Sequence, residues 1–254
     1  MAESVDFDYQ LALAANAAFK GLLGAQGQSG HICARVESVC TEIATESGWP
    51  NVVEQLVERL PAHLVGGEVV VLPDKVVAAS LGRLGPRRVI LDPDPKTIPP
   101  ADLAALAATW AIELGFEVEP HHLLLADEFA DDQATLGTDR PNLRCAEVAE
   151  AIGVRRGVVV DVVISDTDTG LDVRRPLIGT VTIAATPIGA TAGVNLYEAM
   201  RCAVAAEFAR GHTRRIPIVI CVPADRRRQR HATGRARPYD GMLDAAREPS
   251  IAHA

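Results

Sequence analysis

Residues 158–164 read Val-Val-Val-Asp-Val-Val-Ile. A run this dense in β-branched side chains fits a strand buried on both faces, where the alternation of polar and apolar positions is lost. It ends in Ser165-Asp166-Thr167-Asp168, an acidic cluster where strand gives way to loop. A second β-rich run, Ile178 to Thr186, leads into the glycine-containing turn Pro187 to Gly193, and an amphipathic helix is predicted from near Asn195 to Gly211. A strand, a glycine loop and a helix N-terminus can cradle phosphate, because free backbone N–H groups and the helix dipole point the same way. Gly189, Thr191 and Gly193 are the candidates for that approach. Carboxylates ending a neighbouring strand can hold a divalent cation such as Mg²⁺. The functional reading of these pieces is a nucleotide with its metal; the plain one is strand, turn, strand, turn, helix, with no ligand.

The chain has 254 residues, enough for one large domain or two small ones with a real core. With aromatic residues at only 4%, that core must be aliphatic. A net charge of -8 argues against non-specific nucleic-acid binding by the whole surface, though not against a local basic site. Cys33, Cys40, Cys145, Cys202 and Cys221 are scattered, with no CxxC pair and no metal-finger spacing, so buried thiols are expected. The odd cysteine count, the lack of a signal-peptide pattern and the absence of a long apolar run lead to the expectation of a cytoplasmic protein with no membrane span.

The first 60 residues read as a helical N-terminal extension, with helices over 5–24, 31–47 and 52–60, the last capped by Asn51 and stopped by Pro61. The character changes at Leu64. Val65 to Leu72 is predicted as a strand, Val89 to Asp92 as a further short strand, and Ala101 to Gly115 as a helix. His121-His122 and the acidic residues from Asp127 to Asp132 read as a solvated loop that can contribute a metal ligand. Leu143 to Ile152 is predicted as a helix, and Arg214 to Cys221 contains a late strand. Residues 226–254 form a basic C-terminal segment, either a solvated tail or an arginine clamp for an anionic substrate. The irregular alternation of strands and helices predicts a mixed α/β (α+β) fold, a mixed sheet flanked by helices. GxGxxG, GxxxxGK[ST] and GxSxG are all absent, which removes the usual dinucleotide, P-loop and hydrolase readings.

The order of motifs resembles the coenzyme F420-0:L-glutamate ligase (gamma-glutamyl ligase) family. Residues 67–83, Gly-Glu-Val-Val-Val-Leu-Pro-Asp-Lys-Val-Val-Ala-Ala-Ser-Leu-Gly-Arg, are similar to its opening strand, lysine and S-K-x-E-G-R segment. Val162 to Thr167 is similar to its strand ending in S/T-D-T, and Ile216-Pro-Ile-Val-Ile resembles its late strand after an alanine-rich helix. The resemblance spans residues 61–222 and gives a ligase-like core over 61–225. It implies a homodimer and a GTP- or ATP-dependent amide-forming reaction with Mg²⁺ or Mn²⁺, joining an amino acid to an anionic acceptor through an acyl phosphate. It also implies metal ligation by Asp166, Thr167 and Asp127, with Lys75 and Arg83 neutralising charge. Where the family has S-K-x-E-G-R this chain has Ala78-Ala79-Ser80-Leu81-Gly82-Arg83, and its G-R-P-x-R is absent, with Arg174 and Arg175 nearest to a replacement.

The leading expectation is therefore a divergent ligase-like enzyme that acts on small molecules and not on nucleic acid or membranes. A non-catalytic relative binding a small anion or a partner protein is the second, and a metal-dependent phosphohydrolase the third. Product analysis separates them, an amide adduct against phosphate and free acid.

Overall fold

The structure is a computed structural model, which describes residues 33–92, 94–130, 132–166, 171–175, 179–183, 185–194, 196–210 and 216–223. The predicted helix over 5–24, Thr167 and the basic segment 226–254 lie outside the described residues.

A five-stranded mixed sheet carries the fold. Its strands are β1 (Cys33–Val39), β2 (Val69–Pro73), β6 (Asp161–Asp166), β9 (Thr186–Ala190) and β10 (Ile218–Pro223), in the order β1-β10-β2-β6-β9. Strands β2 and β6 run parallel, with Val69 opposite Asp161 and Pro73 opposite Ser165; the other pairings are antiparallel. The β-branched runs are explained by burial on two sides. Period-two alternation sends Val70, Leu72, Val162, Ile164, Ile218 and Ile220 into one core. It sends Val69, Val71, Val163, Val219 and Cys221 into another on the opposite face. Each such side chain contributes about 1.5–3 kcal/mol by leaving water, so the continuous apolar run specifies a central strand.

The first face is covered by α1 (Trp49–Arg59) and α6 (Pro141–Arg156). The second is covered by α7 (Leu196–Arg210), whose Ala199, Ala203, Ala205 and Ala206 pack against the sheet. Helix α6 opens with Pro141 at its first position and ends at Gly157, which takes the left-handed conformation (φ 67°) that lets its N–H close on Gly153 O.

A lobe is inserted between the two parallel strands. Helix α2 (Asp74–Ser80) leaves β2 directly. A small antiparallel sheet of β3 (Leu84–Pro86), β5 (Gln133–Thr135) and β4 (Asp127–Ala130) follows, in that spatial order, with α3 (Arg87–Ile90), α4 (Pro100–Leu114) and α5 (Pro120–Leu124). Ile90, Leu103, Trp110, Leu123 and Leu136 form its own apolar cluster. A two-stranded ribbon, β7 (Leu171–Arg175) and β8 (Gly179–Ile183), follows β6. No helix among the described residues is long and apolar enough to cross a membrane.

Four expectations are corrected. Within the predicted helix over 31–47, residues 33–39 are the edge strand β1. Val36, Val39, Cys40 and Ile43 have helical spacing, but pairing with β10 decides the conformation. Strand β1 and helix α1 also build the main sheet and core, so residues 33–60 are not a separate extension. The short strand at 89–92 is instead the end of helical turn α3, whose Ile90 is fully buried in the lobe; a short apolar run does not distinguish the two by itself. The acidic loop at 127–133 is mostly hairpin β4–β5.

Candidate functional site

Strand β6 ends in an aspartate, Ile164-Ser165-Asp166, and β2 is followed at once by one, Leu72-Pro73-Asp74. They are neighbouring parallel strands, with Pro73 opposite Ser165, so the two aspartates emerge side by side at their carboxyl ends. In open α/β sheets that is where ligands collect. Both carboxylates are buried, Asp74 to 2% exposure and Asp166 to 3%. Asp74 Oδ1 accepts hydrogen bonds from the Thr138 backbone N–H at 3.0 Å and from the Thr138 hydroxyl. Burial, and next the Asp166 charge, push Asp74 up from 3.8 to about 7, against the lowering effect of the Thr138 bonds. The Ser165 hydroxyl, fully buried between the strand ends, has no hydrogen-bond partner among the described residues.

Lys75 follows Asp74 on α2, and its Nζ lies 2.8 Å from Asp127 Oδ2, which β4 brings over from the lobe. Both side chains are mostly buried, so the pair is better shielded than a surface ion pair. Lys75 thus neighbours Asp74 in the chain and pairs with Asp127, while Asp166 acts on Asp74 through its charge. The carboxylates of Asp74 and Asp166 are hard oxygen donors suited to Mg²⁺ or Mn²⁺, and Mg²⁺ is commonly held by only one or two carboxylates plus substrate phosphates. The mutual repulsion of Asp74 and Asp166 is what such a cation relieves, so the donor set fits a divalent ion.

The other candidates go elsewhere. Arg83 is buried; its Nε donates to Gly137 O at 2.7 Å, its Nη1 to Glu117 O at 3.1 Å, and its guanidinium lies over the Phe116 ring. These contacts tie lobe segments together, while the Arg83 charge also acts on Asp74 and lowers that carboxyl. The glycine turn sits at the opposite end of β6 from Asp166, because β9 runs antiparallel to β6. Thr186 faces Asp166, whereas Thr191 reaches Val162 and Asp161. At about 3.3 Å per residue, that end is about 15 Å away. The Thr191 hydroxyl accepts from Val162 N and donates to Asp161 Oδ1. A Cβ on Gly189 would meet Pro141 Cβ at 2.6 Å, so this glycine permits close packing on α6. Gly193 has φ 90° and serves the turn. The expectation that the glycine turn meets Asp166 is therefore corrected for Thr191, which lies at the other end of β6, while Gly189 pairs with Ile164 along the strand. Arg174 and Arg175 lie on β7, opposite Thr180 and Gly179 of the ribbon. His122 belongs to the N-terminal cap of α5, where its Nδ1 bonds Glu119 N.

Two groups escaped the sequence reading. Asp74 and Thr138 were one. Their signal was present in the repeated pattern of an apolar run, one residue and aspartate at both strand ends. The other is a cluster of three buried thiols, Cys33 of β1, Cys202 of α7 and Cys221 of β10, with their Sγ atoms all within 4.8 Å of one another. Hydrogen bonding with Cys202, then with Cys221, pulls Cys33 down to about 4. No spacing rule brings these three positions together; the β1–β10 pairing and the packing of α7 do.

No family model matches this sequence, and comparison with curated proteins gives no significant match.

Proposed function

We propose that the protein is a nucleotide- and divalent-metal-dependent ligase that joins an amino acid to a carboxylate- or phosphate-bearing acceptor, similar to coenzyme F420-0:L-glutamate ligase. The observation that supports this reading is the pair of buried carboxylates, Asp74 and Asp166, side by side at the carboxyl ends of β2 and β6, with the Lys75–Asp127 ion pair beginning at the next residue. Asp74 and Asp166 would hold the metal, with Thr167 beyond the described residues as a further oxygen donor. A bound divalent ion there supplies charge neutralisation to a transferring phosphoryl group. The Lys75 ammonium, held by Asp127 at 2.8 Å, would offset charge on phosphate oxygens. The acceptor carboxylate takes the γ-phosphoryl group to form an acyl phosphate and releases the nucleoside diphosphate. The amine of the amino acid then displaces phosphate to form the amide. Catalysis is by positioning and electrostatics, with no covalent protein intermediate.

Thermal-shift measurements with GTP and ATP, each with Mg²⁺ or Mn²⁺, test it in wild type and Asp166→Asn. A nucleotide at about 100 times its dissociation constant stabilises by about 2.7 kcal/mol. The expected result is a metal-dependent shift that the substitution removes, with an amide-linked product on adding acceptor and amino acid. No shift with either nucleotide refutes the ligase. One observation favours a non-catalytic anion-binding relative instead: Arg83 is committed to backbone carbonyls. Metal-dependent nucleotide binding without turnover would select that second reading.

A further inference from the structure

We propose that Cys33, Cys202 and Cys221 form a three-thiolate site for one soft monovalent cation of the Cu(I) class. The three sulfurs come from separate elements, an edge strand, an inner strand and a helix, and converge to within 4.8 Å of one another. With metal–sulfur bonds of about 2.3 Å, three sulfurs around one ion in a plane stand about 4.0 Å apart. The cluster therefore closes on an ion by side-chain movements of less than about 1 Å.

The surroundings select the ion. All three cysteines are buried, at 1% exposure or less, among Ala199, Ala203, Ala206 and Val219. Among the described residues the ligand group contains three thiols and no fourth histidine, cysteine or carboxylate. Zinc in structural sites takes four ligands, and in open sites water fills the fourth place. A dry, three-sulfur set suits a soft ion content with three thiolates, which is Cu(I).

Charge points the same way. Three thiolates with one monovalent ion leave negative charge in the core. The Arg201 charge acts on Cys33 and the Arg210 charge acts on Cys221. Arg210 is itself buried. Its Nε donates to Ile216 O and its Nη2 to Val71 O, while Nη1 has no hydrogen-bond partner among the described residues; Glu207 also acts on this guanidinium. Without metal, the Cys221 thiol donates to the Cys202 carbonyl at 3.7 Å. Binding forms three metal–sulfur bonds and releases the thiol protons to solvent, with no change of oxidation state. The site shares no residue with the acidic cluster at Asp74 and Asp166, and it fastens edge strand β1 to α7 and β10.

The test is an anaerobic titration of the reduced full-length chain with Cu(I), using bathocuproine disulfonate as a competing coloured chelator. Wild type, Cys40→Ser and Cys145→Ser are expected to take one equivalent each. Cys33→Ala and Cys202→Ala, small substitutions in an alanine-lined core whose folding is checked by circular dichroism, are expected to weaken binding by more than about 100-fold. That exceeds the 10–100-fold typical of losing an outer-shell partner. X-ray absorption at the copper edge should show a first shell of three sulfurs. If Cys33→Ala or Cys202→Ala fails to fold, that three-sulfur shell in the wild type, with Cys40→Ser and Cys145→Ser unchanged, decides for the site. Retention of all Cu(I) by the chelator overturns the proposal. So does binding that survives both core substitutions and disappears in Cys40→Ser.

Discussion

Asp74→Asn should flatten the dependence of stability on pH. The Asp74 carboxyl is 2% exposed and faces Asp166, and burial followed by that charge moves it from 3.8 to about 7. Because the folded value lies above the unfolded one, the folded state holds the proton more tightly. The stabilisation is fully present below about pH 4 and is lost as pH rises through about 7. A displacement from 3.8 to about 7 corresponds to about 4 kcal/mol between those limits. Asparagine has nearly the same shape and keeps an oxygen for the Thr138 N–H, yet has no charge to bury. Urea unfolding of wild type and Asp74→Asn, in chelator to exclude divalent cations, should be followed from about pH 4.5 to about pH 8. Titrating groups that do not interact with Asp74 cancel in the difference between the two proteins. The variant should gain on wild type as pH rises, by up to about 4 kcal/mol at the alkaline end. Parallel pH profiles would refute the inference that burial and the Asp166 charge outweigh the Thr138 bonds and the Arg83 charge at Asp74.

Gly189→Ala places a methyl group 2.6 Å from Pro141 Cβ and 2.7 Å from its carbonyl carbon, so β9 or α6 must shift. A loss of about 1–3 kcal/mol in urea unfolding is expected, and an unchanged midpoint would contradict close packing there. Thr191→Val keeps the shape but removes the acceptor of Val162 N and the donor to Asp161. It should cost about 1–3 kcal/mol while leaving any metal-dependent nucleotide shift intact, because the turn is remote from Asp166. Arg83→Leu should lower the melting temperature by freeing the Gly137 and Glu117 carbonyls. A fully stable variant that loses nucleotide binding alone would return Arg83 to the site.

The strands that position the acidic cluster are legible because their side chains are apolar on both faces, a pattern that no surface element needs. Asp166 and Lys75 could be named because they follow such runs directly. Asp74 stood equally close to one, but its importance depends on the parallel register with β6, and register is a relation between segments that neither segment encodes alone. Strand β1 was misread because Val36, Val39 and Ile43 are compatible with helix, and its partner β10 lies near the other end of the sequence. The glycine turn was assigned to the acidic end because both features flank β6 in the sequence. The antiparallel return of β9 separates them in space. The thiol cluster depends on three elements packing together, and the spacing of its cysteines carries no trace of that.

The sheet order has a consequence for how the chain is made. Among the described residues, strand β1 pairs in the sheet only with β10, and about 180 residues separate them. On a ribosome adding about 5–20 residues per second, β1 leaves the exit tunnel about 10–40 seconds before its partner exists. Throughout that interval it is an unpaired extended segment, open to pairing with other nascent chains. Arg35 and Glu37 along it give the waiting strand charges that discourage such encounters. Of the described strands, the last to be synthesised therefore completes a sheet begun by the first.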